Sequence, residues 1–447
     1  MTEMTELDIL GKYRSILKAL DPLRPMGRVI QVNGMAIITE GPPDVSIGDI
    51  CRVECEDSFL SCEVMGFEGH KLVLMPLGPT TGVQPEAHVY ASGRQFGISV
   101  HEGLMGRVLD GLGNPIDGKP PVISDEIRLS DYDPPLATKR VPIREIVSTG
   151  IRSIDGLLTV GRGQRLGIFA GTGVGKSTLL GMIARYSKAD INVICLVGER
   201  GREVTEFIEN DLGEGLDRSV VIAATNDRSA MEKVYAPGFA TSIAEYFRDK
   251  GMHVNLLMDS VTRYCMALRE TGIASGEQIG PGGYPPGVWF RLSRLLERSG
   301  SLSHGSITGF YTVLVEADDM NEPVADNTRG FLDGHIVLSR RLAQKNHYPA
   351  IEVTESISRV MDKIVEPEVL ENAKHIRTLL AAYKENEDLI NLGAYARGSS
   401  RDVDEAISKL PQINDFLKQK VEEGSTLEES ERALYSIVHS DDEEAFY

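Results

Sequence analysis

The chain has 447 residues, 41% hydrophobic and 25% charged, which gives enough apolar material for a packed core and room for about three domains of ~150 residues. Its 47 Lys and Arg against 66 Asp and Glu leave a formal charge of −19, which repels phosphate backbones at long range and argues against a bulk nucleic-acid binder. No apolar run approaches the ~18 residues of a membrane span, the start, Met1 to Glu6, is acidic and lacks a signal-peptide core, and five cysteines suggest no disulfide framework; a cytosolic protein is expected.

The first predicted element is an amphipathic helix over residues 1–22. Ile9, Leu10, Tyr13, Ile16, Leu17 and Leu20 recur at helical spacing before Pro22 and Pro25 stop it. Such a helix either packs on its own domain or docks a partner. Residues 23–95 read as short strands, among them Val29-Ile30, Met35 to Ile38, Ile50 to Cys55 and Leu72 to Leu74, punctuated by Asn33-Gly34, Gly41-Pro42-Pro43, Gly48 and Gly78-Pro79. Asn33-Gly34 predicts a tight hairpin turn, and so many short strands close most simply as a small β-barrel. Cys51, Cys55 and Cys62 lack a fourth ligand or a paired CxxC, so they are read as buried hydrophobes rather than metal ligands.

From 96 to 365 apolar strands alternate with helices, the pattern of an α/β domain with a parallel sheet. Its strands are Leu166 to Phe169, Val193 to Val197, Val220 to Ala223, Leu256 to Met258, Tyr311 to Val315 and His335 to Leu338. Over 366–447 the strands cease, and Val369, Leu370, Ala373, Ile376, Leu379, Leu380 and Tyr383 form one helical stripe. A C-terminal helical domain with a solvated acidic end is expected.

The sharpest motif is Ala170-Gly171-Thr172-Gly173-Val174-Gly175-Lys176-Ser177, between a predicted strand and an apolar helix that opens with Thr178. It reads as a phosphate-binding loop: glycines turn backbone N–H groups inward around phosphate oxygens, and the following helix directs its positive end at the same anion. Lys176 would reach the β- and γ-phosphates, and the Ser177 hydroxyl would ligate Mg²⁺. Ala170 stands where the usual pattern has Gly, which is tolerable if the backbone there has ordinary angles. A dinucleotide loop would need GxGxxG, and this is GxGxG followed by Lys-Ser.

Hydrolysis of a bound triphosphate also needs carboxylates. Sites on parallel sheets lie at the carboxyl ends of strands. The strand ending at Val197 runs into Gly198-Glu199-Arg200-Gly201-Arg202-Glu203, and the strand Leu256 to Met258 into Asp259-Ser260. Glu199 is the expected water-positioning group, Arg200 a γ-phosphate contact, Glu203 a partner of metal-bound water and Asp259 the metal-positioning carboxylate. Arg263 either leans toward this site or makes a structural ion pair.

Phosphate loop, Gly-Glu-Arg turn and Asp-ended strand stand in the order found in the catalytic subunits of rotary ATPases. The wording of Gly106 to Gly118, Phe169 to Leu180, Val197 to Val204, Asp259 to Glu270 and Gly283 to Gly300 resembles most the ATPases of type III secretion systems, particularly of flagellar export. The resemblance implies a RecA-like core between the barrel and the C-terminal helices, and a homohexameric ring with ATP at each subunit border. It implies that Arg359, in Ser356-Ile357-Ser358-Arg359, is an arginine finger reaching a neighbour's γ-phosphate, a device typically worth ~10³–10⁵ in turnover. It further implies that Tyr348, before Pro349, stacks on the adenine. The family's Pro-Ala-Ile segment usually continues with Asp, Asn or His, whereas here Glu352 follows. The loop Pro281 to Gly287 would meet a stalk-like protein in the central pore, and the N-terminal helix a stator-like regulator. The implied task is ATP hydrolysis that docks or unfolds export substrates and releases their chaperones, beside an export gate at the cytoplasmic face of the inner membrane. Competing readings are a rotary ATP synthase subunit, a non-catalytic ring subunit, which would lack Glu199, and an RNA-translocating hexamer, which the acidic balance and a barrel without an aromatic basic platform disfavour.

Overall fold

The computed structural model describes residues 26–56, 58–315 and 318–444; the helix expected over residues 1–22 lies outside them. The chain divides into two compact units, one ending at Phe96 and including Ala274–Gly276, the other comprising Gly97–Ile273 and the chain from Glu277 on.

In the first unit, strands β1 (Met26–Asn33), β2 (Ala36–Glu40), β3 (Asp49–Glu54), β4 (Phe59–Glu68), β5 (Lys71–Pro76) and β6 (His88–Gln95) close a barrel in the order β1-β2-β5-β4-β3-β6. Closure leaves no unpaired strand edge. Val29, Ile37, Val53, Val64, Leu74 and Val89 fill the interior, and each fully buried Val, Leu or Ile contributes about 1.5–3 kcal/mol. Cys51 faces Cys62 across the β3–β4 ladder. Both thiols are buried in that core, and burial pushes the Cys51 thiol up to about 11 and that of Cys62 up as well. The first hairpin turns one residue later than expected. Asn33 stays in the ladder opposite Ala36, and Gly34 takes the positive φ, +56°, which a glycine adopts without cost to a side chain.

The second unit begins with short paired segments. Gly97–Ser99 (β7) lies against Ile127–Leu129 (β9) with Arg107–Asp110 (β8) between them in sequence, and Ile146–Val147 (β10) pairs with Val160–Gly161 (β11). The main strands follow: Arg165–Ala170 (β12), Ile191–Val197 (β13), Ser219–Ala224 (β14), His253–Asp259 (β15), Gly300–Leu302 (β16), Gly305–Leu314 (β17), Gly334–Leu338 (β18) and Ile357–Ser358 (β19). They form one sheet ordered β19-β18-β12-β17-β15-β13-β14-β8, with β16 paired to β17. From β18 to β8 every ladder is parallel, and all residues of β13, β14 and β15 are buried, so these strands read as continuous apolar runs rather than alternating ones.

The helix Lys176–Tyr186 packs Leu180 and Ile183 into the same core as Ile168, Ile194 and Leu257. That core extends into the C-terminal helices Pro367–Asn391, Arg401–Leu417 and Leu427–Glu444 through Ala373, Ile376, Leu379, Ile413 and Leu434. Among the described residues no helix is long and apolar enough to cross a membrane.

Candidate active site

Strand β12 ends at Ala170, buried between Leu314 of β17 and Leu338 of β18. Ala170 is not among the positive-φ residues, so the usual first glycine is dispensable here. The conformational demand falls on Gly173 and Gly175, at φ +77° and +92°, where any side chain would be strained. Gly175 caps the helix Lys176–Tyr186, and its carbonyl accepts from the Leu179 N–H at 3.0 Å. Gly171 is fixed by crowding instead. A Cβ there would stand 2.6 Å from Asp318 Oδ1 and 2.9 Å from an Arg340 nitrogen, and these two side chains pair with each other at 3.5 Å.

The carboxylates reach this loop because of strand order. Going outward from β12 the sheet runs β17, β15, β13, so Asp259 at the end of β15 starts two ladder spacings, about 10 Å, from the loop strand. Lys176 spans the gap: its Nζ donates to Asp259 Oδ1 at 2.5 Å and to Glu199 Oε1 at 3.3 Å. From the intervening strand, the Thr312 hydroxyl donates to Asp259 Oδ1 at 2.8 Å, a contact with no signal in the sequence, where Thr312 sits in an unremarkable apolar run. Glu199 follows Gly198 in the left-handed region, φ +74°. A Cβ on Gly198 would meet the Arg263 stem at 2.7 Å, so Arg263 lies across the turn that carries Glu199.

Electrostatically the group is tightly linked. Burial pulls the Lys176 ammonium down, but Asp259 and Glu199 outweigh it and its pKa stands above the ordinary lysine value. Burial, then the charge of Asp259 and a hydrogen bond with Glu203, push Glu199 up against the pull of Lys176. The same Glu199 hydrogen bond holds Glu203 down. Of that pair, Glu199 is the proton-retaining member and sits at the loop lysine. Arg200 is the exposed residue before the short helix Gly201–Glu206, and its guanidinium donates to Glu203 Oε1 at 3.2 Å.

Tyr348 stands on the other side of the loop. Its ring lies over the helix start, 3.7 Å from where a Gly175 Cβ would be. Together with Val174, Thr178, Met182, Pro349 and Val421 it lines a cavity of about 230 Å³. Glu352 is buried beyond it and accepts from the Thr354 hydroxyl at 2.7 Å while pairing with Lys384 at 3.2 Å. Its carboxylate thus ties the segment after Pro349 to the helix Pro367–Asn391. Arg359 is exposed and stands apart from all of this. It follows β19, which pairs with β18 at Gly334 and His335, the end of that strand opposite Leu338 and the loop.

A glycine-rich loop closing on a lysine held by two strand-end carboxylates, on a parallel sheet, defines the class: a P-loop ATPase. Residues 150–358 match the nucleotide-binding domain of the ATP synthase alpha/beta family and residues 29–93 its β-barrel domain. Residues 365–436 match the T3SS EscN ATPase C-terminal domain, which favours the export branch over the synthase subunits.

The chain belongs to the family of flagellar and type III secretion ATPases. It is 51% identical to the "Flagellum-specific ATP synthase" of Bacillus subtilis, over 95% of this chain and 98% of that one. It is 47% identical to the "Type 3 secretion system ATPase" of Xanthomonas euvesicatoria, over 93% and 94%. The structure of the assembled ATPase EscN from enteropathogenic E. coli superposes with a TM-score of 0.88 at 42% identity, covering 92% of this chain and all of that one. EscN in complex with its central stalk EscO gives 0.86 at 42% identity, with the same coverage.

Proposed function

We propose that this ATPase works as a homohexameric ring of a flagellar export apparatus, cleaving ATP at subunit borders to dock and unfold export substrates and free their chaperones. The observation that carries the catalytic part is the Lys176–Asp259–Glu199 cluster, with Nζ 2.5 Å and 3.3 Å from the two carboxylates. ATP phosphates lie along Gly171, Thr172, Gly173, Val174, Gly175, Lys176, Ser177 and Thr178, and the base lies against Tyr348. Lys176 turns from its carboxylates to the phosphates, which leaves Glu199 to orient and deprotonate the attacking water. Arg200 meets the γ-phosphate. Ser177, Asp259 and Glu203 offer only oxygen donors, the set Mg²⁺ prefers, and would hold that ion. When bound, it neutralises phosphate charge.

Arg359 acts on the neighbour's site, since in its own chain it lies at the far end of β18. The stalk contact is assigned to the loop Pro281 to Gly287, in keeping with the stalk-bound EscN relative. The segment over residues 1–22 takes a stator-like regulator, the ring sits at the cytoplasmic face of the inner membrane near the export gate, and no nucleic acid is needed. The flagellar rather than injectisome setting is proposed on the wording of the motifs, with the 51% identity to the Bacillus subtilis flagellar relative in its support.

Lys176→Ala tests the phosphate site. It removes the charge that meets the β- and γ-phosphates, so steady-state ATP turnover should vanish; near-normal hydrolysis would refute the assignment.

A further inference from the structure

The wall of the base cavity opposite the loop helix comes from the linker between two C-terminal helices, Arg401–Leu417 and Leu427–Glu444, where Gln419 and Val421 line the cavity. This wall is fastened on two sides. The Val421 carbonyl accepts from the Tyr186 hydroxyl and an Arg185 guanidinium nitrogen, both at 2.9 Å, at the end of the very helix that begins with Lys176. Gln419 makes the other attachment. It is 6% exposed, and its backbone N–H donates to the Tyr348 carbonyl at 3.0 Å. Its Oε1 accepts from the Arg152 N–H at 2.9 Å, and its Nε2 donates to the Gly150 carbonyl at 2.8 Å and the Glu423 carbonyl at 2.6 Å.

The points Gln419 joins are themselves fixed. Buried Asp155 accepts from the N–H groups of Thr149 at 2.8 Å and Gly150 at 3.2 Å. Arg152 grips the linker through the carbonyls of Phe416 and Lys418 and the Glu423 carboxylate. Both Nε2 hydrogens and one Oε1 lone pair of the Gln419 amide are therefore committed to protein, so it has no donor left to read the edge of a base. Its contribution is spacing: it suspends the Tyr348 backbone and the Val421 wall from the rigid Gly150 turn.

We infer that Gln419 is a positioning residue for the nucleoside, setting the gap in which the base is held between the loop helix, Tyr348 and Val421. This deepens the base-stacking role proposed for Tyr348 and rests on it. Alanine at 419 strands the part-buried Arg152 N–H and Glu423 carbonyl and takes a donor from the buried Gly150 carbonyl, and polar groups removed from water are rarely left without partners. The phosphate loop touches none of these atoms.

The experiment is steady-state kinetics of the full-length chain with ATP, run beside inhibition by inorganic tripolyphosphate, which has no base. Gln419→Ala should raise KM for ATP by about tenfold, the scale of one lost aromatic–base stack, with a much smaller change in kcat and an unchanged inhibition constant for tripolyphosphate. Gln419→Glu keeps the size and the acceptor for Arg152 but, ionised, donates to neither carbonyl, so it should show the same split and serves if the alanine chain does not fold. Tyr348→Ala separates the two levels. If it raises KM while both Gln419 variants keep the normal KM, the positioning role is wrong and the stacking survives. If Tyr348→Ala also leaves KM unchanged, the stacking itself fails. A tripolyphosphate constant that weakens in step with KM would mark general damage to the fold and overturn the inference.

Discussion

Glu199 and Glu203 divide their protons unequally, and that asymmetry has a kinetic signature. In its proposed role Glu199 must be ionised to take a proton from water, yet burial and the charge of Asp259 raise its pKa. The sign follows: kcat/KM should fall as pH drops through that raised value, placing the acid limb of the profile higher than a free glutamate would. Glu203→Ala removes the hydrogen-bond partner that helps hold Glu199 up, so the limb should move to lower pH whatever happens to the plateau. A pH–kcat/KM series on the two chains measures this; a limb that stays in place would show that the pair is not coupled in the working enzyme. At this scale the loop, Glu199 and Asp259 were legible because each sits in a chain-local signature at a strand tip. Thr312 and Gln419 were not, since their value comes only from what folding brings against them.

The stretch Gly106 to Gly118 gains its meaning at the level of elements. Arg107, the first residue of β8, forks onto Asp117 with Nε and Nη2 at 2.5 and 3.0 Å, and the Lys119 N–H donates to the same carboxylate at 3.0 Å. This pins the sheet's edge strand to the turn that follows it. The Arg107 hydrogen bond holds the Asp117 carboxyl far below its usual range, and both side chains are largely buried. A lowered folded-state pKa stabilises above the unfolded value and is lost as pH falls through the folded one. Asp117→Asn should therefore cost about 3 kcal/mol near neutrality, the scale of a broken buried pair, and the gap to the parent chain should narrow as the pH falls below about 4. Urea unfolding at several pH values measures it; a gap independent of pH would remove the ion pair from the account. Most strands were visible in sequence because buried parallel strands are unbroken apolar runs. Phe59–Glu68, His88–Gln95 and Arg107–Asp110 were passed over because polar residues interrupt them or only four residues are present, and barrel closure or the sheet edge supplies their pairing.

For the whole molecule the decisive question is who uses Arg359. One chain supplies a complete phosphate loop and both carboxylates, while its own Arg359 lies at the wrong end of β18, a separation invisible in sequence, where spacing says nothing of sheet ends. The finger is thus expected across a border between copies. Arg359→Ala should bind nucleotide and fold normally but lose most of its concentration-dependent turnover. Mixed in equal amounts with inactive Lys176→Ala chains, it should recover activity, because roughly a quarter of the borders in a randomly assembled head-to-tail ring then pair an intact lysine with an intact arginine. No recovery in rings shown to have exchanged subunits would place the arginine's role within one chain.

Glu199 is the group proposed to direct water onto a triphosphate seated at Lys176. Replacing it by glutamine keeps shape and size and removes the proton acceptor. A single-turnover measurement on Glu199→Gln with ATP should therefore find nucleotide bound about as tightly as in the parent chain and cleavage slowed by about 10²–10⁴, the range of a positioned general base. Cleavage within about twofold of the parent rate, far short of that range, would mean that the attacking water is managed by some other group.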